Sequence, residues 1–161
     1  MNITVIGCGR WGSFLTWYLD RMGHQTTLYG RPDSPHMAQF LAARSNGVVT
    51  LPPRVRLSTS LEAAVQEAQA LVISIGSQNL RGLMAQLGPL LKPPLDVVLC
   101  MKGLEMETGL RLSQIAGQYL SPSIPVSVWL GPGHVQEFLA GIPNCMVIDS
   151  LDEAAKDRLI Q

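Results

Sequence analysis

Gly7-Cys8-Gly9-Arg10-Trp11-Gly12 spaces three glycines as GxGxxG, directly after the apolar run Ile3 to Ile6 and directly before a stretch with helical spacing. That context carries the signal, since glycines by themselves are common in loops. A strand that turns tightly into a helix leaves free backbone amides and the positive end of the helix dipole facing one point, which suits a diphosphate. In such a turn Gly7 permits the bend, Gly9 lets the backbone approach the ligand, and Gly12 lets helix and strand pack closely. The chemistry implied is capture of a dinucleotide by its pyrophosphate. A purely structural strand-to-helix turn is the rival reading, and three correctly spaced glycines argue against it.

The end of the second strand bears on which dinucleotide. NAD-binding domains commonly place Asp or Glu there to accept hydrogen bonds from the adenosine ribose, whereas this chain has Tyr29-Gly30-Arg31. A guanidinium at that position can pair with a 2′-phosphate, so NADP is favoured over NAD. The neighbouring Asp33 keeps NAD open, and Arg31 can also be read as a solvated loop residue. Two readings stand equally for Trp11: lining the cofactor pocket, or packing against nearby loops.

These residues need elements to hold them. Short Val/Ile/Leu runs alternate with longer segments of helical spacing, the pattern of βαβ units around a buried parallel sheet. Strands are expected at Ile3–Ile6, Gln25–Tyr29, Val55–Leu57, Ala70–Ile75, Val97–Met101, Val126–Leu130 and Cys145–Ile148. Helices are expected at Ser13–Met22, Pro35–Arg44, Leu61–Ala68, Gln78–Leu91 and Leu110–Leu120, with a short one after Gly131-Pro132 and a last one at Asp152–Gln161. In the first helix Phe14, Leu15, Tyr18, Leu19 and Met22 share one face, and Gly23 ends it. The fold class is therefore α/β, a Rossmann-type doubly wound, mostly parallel sheet, with residues 1–161 forming one nucleotide-binding domain.

Composition bounds the rest. A chain of 161 residues supports one core but falls short of a cofactor domain plus a substrate domain. Twelve basic residues balance twelve acidic ones with no run of either sign, which removes the electrostatic footprint of a nucleic-acid binder. No stretch has transmembrane length and the N-terminus lacks a signal peptide's pattern, so no membrane insertion and a cytoplasmic location are expected. Cys8, Cys100 and Cys145 lie far apart within or beside apolar segments and read as reduced packing residues, with no metal site. An ending inside a charged amphipathic helix is expected of a chain cut before a further domain.

Four segments together resemble the bacterial-type NAD(P)-dependent glycerol-3-phosphate dehydrogenase family. They are Gly7–Gly12 with Ser13; Ile75-Gly76-Ser77-Gln78; Lys102-Gly103-Leu104-Glu105 with Glu107-Thr108-Gly109; and Gly131-Pro132-Gly133-His134-Val135-Gln136-Glu137. Their order covers nearly the whole chain, and the lysine segment is the most specific. The resemblance implies hydride transfer between a nicotinamide and dihydroxyacetone phosphate or sn-glycerol 3-phosphate, within glycerophospholipid metabolism. It implies cofactor contacts from Gly7, Gly9, Arg10, Trp11, Gly12, Arg31, Ser77, Lys102 and Val135, the last beside the nicotinamide. Lys102, Gly131 and Gly133 are implied to face a small phosphate substrate.

Two departures are visible. Family members usually carry Ser or Thr where this chain has Gly133 and Ala where it has Val135, so a hydroxyl is lost and a larger group enters. The family's catalytic lysine belongs to an all-helical C-terminal domain, so no catalytic residue is expected within this chain, and any homodimer is expected through that missing domain. His134, an acid-base candidate by type, is expected instead to be a partly buried loop residue. Two alternatives accompany this reading: a stand-alone nucleotide-binding or redox-sensing module, and a related Rossmann dehydrogenase for another small substrate such as a keto acid.

Overall fold

Alternate residues of the buried strands face opposite ways, so each strand needs a helical layer on both sides. In the structure, a computed structural model that describes residues 1–160, that demand is met by two apolar layers. On one face Ile6, Leu71, Ile73, Val97 and Leu99 pack under Leu80, Met84, Leu87 and Ile115. On the other, Ile3, Val5, Leu28, Val72 and Val98 pack under Phe14, Leu15, Leu19 and Phe40.

The strands are β1 (Asn2–Ile6), β2 (Gln25–Tyr29), β3 (Arg56–Ser58), β4 (Ala70–Ile73), β5 (Asp96–Leu99), β6 (Val126–Leu130) and β7 (Val147–Ser150). They form one seven-stranded sheet in the order β3-β2-β1-β4-β5-β6-β7. Ile3 lies opposite both Thr26 and Ala70, so β1 is the centre from which the chain winds first one way and then the other. The helices are α1 (Arg10–Arg21), α2 (Pro35–Ala43), α3 (Leu61–Val65), α4 (Leu80–Leu87), α5 (Leu112–Gly117), α6 (Val135–Leu139) and α7 (Glu153–Ile160). The doubly wound class is thus observed, with one exception to the parallel run: β7 pairs antiparallel with β6, Leu130 opposite Val147.

Several expectations are corrected. α1 begins at Arg10 rather than Ser13, which puts Gly12 inside its first turn. Tyr18 and Met22 are 39% and 57% exposed, so the buried face of α1 runs through Gly12, Phe14, Leu15, Thr16 and Leu19 instead. β4 stops at Ile73, freeing Ser74 and Ile75 for the turn that follows. The helix expected over Gln78–Leu91 is α4 flanked by single 3-10 turns at Ser77–Asn79 and Gly88–Leu90, the second opened by Pro89. The last strand is shifted from Cys145–Ile148 to Val147–Ser150, because an edge strand half in solvent tolerates Asp149 and Ser150 where a central one would not. Cys8 is buried and Cys100 half-buried, but Cys145 is exposed and packs no core. The expected final helix is seen as far as Ile160, Gln161 lying outside the described residues.

Two buried carboxylates fasten elements across the sheet. Asp20 of α1 accepts both arms of Arg54 at 2.7 and 2.6 Å. Asp96, at the start of β5, accepts Arg158 of α7 at 3.2 and 2.8 Å. Among the described residues no helix is long and apolar enough to cross a membrane.

Candidate functional site

The winding direction reverses between β1 and β4, so the connections leaving their carboxyl ends run to opposite faces of the sheet, the place where such sheets take ligands. A cleft of about 720 Å³ opens at that point. Its walls are the glycine turn (Gly7, Cys8, Gly9, Arg10, Trp11), the end of β2 with the residues just after it (Tyr29, Gly30, Arg31), Ser34 and His36 at the start of α2, and the strand-to-helix segment from Ser74 into α4.

The glycine turn is shaped by close approach. Gly7 has φ +112°, and a Cβ there would stand 2.1 Å from the carbonyl oxygen of Ser74, so two strand ends pass with room for hydrogen only. Its amide donates to Tyr29 O at 3.0 Å. A Cβ on Gly12 would lie 1.9 Å from Gly7 O, locking α1 against the turn. Gly9 differs: its backbone is extended and nothing lies within 4 Å of an added Cβ. Helical bonding begins with Ser13 N–H to Gly9 O at 3.0 Å, so the amides of Arg10, Trp11 and Gly12 precede any helical acceptor. Gly9 thus leaves open space over the positive end of α1.

The electrostatics agree. The cleft wall carries Arg10, Arg31 and His36 but no Asp or Glu. Asp33 stands outside it, 3.4 Å from Arg31 Nε, with both side chains about three-quarters exposed. Ser34 caps α2 and accepts from Met37 N–H at 3.4 Å. Gly30 is forced by packing, because a Cβ there would meet Cys8 Sγ at 2.5 Å. Trp11 lines the cleft and also packs at 5.4 Å from Phe14 and 5.9 Å from Phe138.

The remaining candidates sit on neighbouring strand-end loops. Lys102 is exposed after β5, and its Nζ donates to Gly131 O, after β6, at 2.8 Å. Ser77 is half-buried outside the cleft wall, its hydroxyl accepting from Gln78 Nε2 at 3.2 Å. Val135 is 3% exposed, packed into the α1-side core. His134 is exposed, contrary to expectation, and its amide donates to Glu137 Oε2 at 3.1 Å.

Gly133 receives an explanation that its sequence position could not supply. A Cβ there would stand 2.4 and 2.7 Å from the ring of Phe138 and 2.8 Å from Asn144 Nδ2. That ring is held between Trp11 and Phe14, so it cannot yield cheaply. Phenylalanine thus fills the room a hydroxyl-bearing side chain at 133 would need. Gln78, Ser34 and His36 are among the cleft-lining residues that the sequence reading did not single out, and Phe138, outside the cleft wall, was missed as the neighbour of Gly133. The one usable hint was Gly133 itself, since a lost side chain in a packed loop implies a neighbour that takes its volume.

An acid-free crevice at the switch point of a doubly wound sheet, headed by an open helix N-terminus, defines a dinucleotide-binding domain. Comparison with known proteins narrows this. Residues 2–156 match the family model of the NAD-dependent glycerol-3-phosphate dehydrogenase N-terminus, and the chain belongs to that family. It is 34% identical to glycerol-3-phosphate dehydrogenase (NAD(P)+) of Cronobacter sakazakii over 164 residues, covering 99% of this chain and 48% of that protein. The Citrobacter koseri protein of the same name is 34% identical, covering 98% of this chain and 48% of its own length. The crystal structure of glycerol-3-phosphate dehydrogenase from Coxiella burnetii superposes with a TM-score of 0.89 at 22% identity, over 99% of this chain and 49% of that one. The chain therefore spans about half the length of the relatives it matches.

Proposed function

We propose that this domain binds NADPH in preference to NADH and forms the cofactor half of an enzyme interconverting dihydroxyacetone phosphate and sn-glycerol 3-phosphate. The observation that carries the reading is the cleft over Gly9, which combines open space, free helix amides and basic side chains without any carboxylate. The amides of the first turn of α1 hold the pyrophosphate. Arg31 turns from Asp33 to the 2′-phosphate, an exchange favoured by magnitude: an exposed ion pair contributes about 0–1 kcal/mol, a charge-assisted phosphate bond about 1.5–3 kcal/mol.

The nicotinamide, when bound, supplies or accepts the hydride. Trp11 shields the crevice beside the glycine turn, and Val135 backs the loop that flanks the nicotinamide. Lys102 holds a substrate oxygen, and Gly131 and Gly133 present backbone to the substrate phosphate. Ser77 supports the cofactor-side loop. The proton that accompanies hydride transfer is handled by a lysine outside this chain, as the family resemblance implies. The three free thiols accord with a reducing, cytoplasmic setting.

The test is tryptophan fluorescence titration with NADPH and NADH, followed by an assay of the complete gene product with dihydroxyacetone phosphate. Tighter NADPH binding and NADPH oxidation support the reading; absence of binding to either coenzyme by folded chain removes it. Light scattering on the same product checks whether two copies pair. The aromatic fill at Gly133 favours a second reading, a related dehydrogenase for a keto acid. Oxidation of NADPH with a small 2-keto acid but not with dihydroxyacetone phosphate would establish it.

A further inference from the structure

Lys102 stands on an exposed loop that is closed on itself by Glu105 N–H to Leu110 O at 3.0 Å and Gly109 N–H to Glu105 O at 2.8 Å. Residues 102–104 and 106–109 are exposed, and Gly103 adopts φ +107°. The single buried member is Glu105, 7% exposed, and its anchor lies across on α4. Arg81 donates through Nε and through one terminal nitrogen to the two carboxylate oxygens of Glu105, both at 2.7 Å, while its other terminal nitrogen donates to Gln118 Oε1 at 2.8 Å. Thr108 adds a hydroxyl donor to the same carboxylate. This arrangement holds the Glu105 carboxyl well below its ordinary range, at about 2.

A second fastener lies three residues earlier. Gln78 Nε2 donates to Leu104 O at 2.9 Å and Gln78 Oε1 accepts from Met106 N–H at 2.9 Å, so one amide side chain spans Glu105 from both sides. Gln78 is also part of the wall of the nucleotide cleft, as are Asn79, Gly82, Leu83 and Gln86 on the same helical stretch. The segment from Ser77 to Leu87 therefore has two sides: one faces the cleft, and the other grips the loop that carries Lys102. From Lys102 the connection continues to Gly131 O.

We infer that Gln78 and Arg81 are positioning residues, a two-point brace through which the nucleotide-facing segment fixes the loop of Lys102 and couples cleft occupancy to that lysine's placement. The bracing part stands on geometry alone; the coupling part rests on the nucleotide-binding reading proposed above. A ligand that orders Gln78 orders Leu104 to Met106 with it, and by reciprocity a fixed loop raises affinity in the cleft. Gln78 is exposed, so its truncation removes one of the brace's two points without opening the core.

The chain has three lysines, Lys92, Lys102 and Lys156, which supplies an internal standard. Acylation by acetic anhydride, read by mass spectrometry, is compared at Lys102 and at exposed Lys92 in the ligand-free chain. The expected result is a ratio at least threefold higher in Gln78→Ala and in Glu105→Gln than in wild type, with Lys156 unchanged against Lys92. An unchanged Lys102 ratio in Gln78→Ala overturns the brace whatever the cleft binds. Should Glu105→Gln melt below the working temperature, Gln78→Ala and the partial restoration expected in Gln78→Glu, which keeps the acceptor for Met106 N–H, decide alone.

Coupling is read by hydrogen exchange of residues 104–109. Saturating NADPH is expected to slow exchange there in wild type and to lose that effect in Gln78→Ala at a concentration that saturates the variant. Equal slowing in both, or none in nucleotide-bound wild type, overturns the coupling. A wild-type chain that binds no NADPH fails the nucleotide reading and the coupling with it, and the acylation result still decides the brace.

Discussion

Replacing Gly9 by alanine separates a glycine kept for a ligand from one kept for the fold. The backbone at Gly9, φ −71° and ψ −175°, is open to any residue, and a Cβ there meets nothing within 4 Å. Alanine should therefore leave the folded state unstrained and reduce the freedom of the unfolded chain, a gain of about 0.4–1 kcal/mol. Binding should move the other way. The methyl group would occupy the space over the first-turn amides of α1 through which a pyrophosphate must approach, and NADPH affinity should fall at least about tenfold, or 1.4 kcal/mol. Urea denaturation measures the first quantity and tryptophan fluorescence titration with NADPH the second. Unchanged NADPH affinity in a stably folded Gly9→Ala chain would refute the reasoning, because the open space would then serve no phosphate.

Gly12→Ala should do the opposite, destabilising the fold by about 2–3 kcal/mol in urea, since its Cβ would stand 1.9 Å from the backbone oxygen of Gly7, which cannot swing aside as a side chain would. Gly133→Ser should cost about 1–3 kcal/mol through collision with Phe138, part of which Phe138→Leu should return in the double variant; additive losses in a double-mutant cycle would contradict the shared volume. Glu105 has a folded pKa of about 2 against an ordinary 4.5, so its contribution is complete above about pH 4.5 and is lost as pH falls towards 2. The urea midpoint of Glu105→Gln should accordingly vary less than wild type across that window. Among the thiols, exposed Cys145 should react with a disulfide reagent at neutral pH far faster than Cys100, whose burial pushes its pKa up to about 12.

What could be read from sequence was whatever rests on local pattern. The run Ile3 to Ile6, the glycine spacing and the alternation of strands with helices fixed the sheet's class and its crevice, because burial on both faces leaves a continuous apolar signature. Tyr18 and Met22 misled because they continue the helical stripe of Phe14 and Leu15 and yet stand exposed at its margin, which spacing alone does not distinguish from burial. The antiparallel turn of β7 left no trace, since an edge strand with one partner has little pattern of its own. Lys102 and Gly133 were visible as residues but not as contacts: Arg81 to Glu105 spans 24 positions and Gly133 to Phe138 crosses a helix turn, and such pairings depend on packing that no window of sequence records.

Because β7 returns antiparallel to β6, residues 131–146 are the tip of a hairpin at the sheet's margin rather than part of a strand-helix-strand crossover. The glycine turn and this hairpin tip are consequently set at different depths in the sheet, one at its central strand and the other at its margin. Altering the glycine turn disturbs the central strand and everything wound about it, whereas a change in the hairpin tip reaches the rest of the domain through Val135 and Phe138, which pack against the α1-side core. A loop carried by a margin hairpin can thus change in volume without moving the strand that shapes the glycine turn, and the close approach of Gly133 to Phe138 lies on that loop.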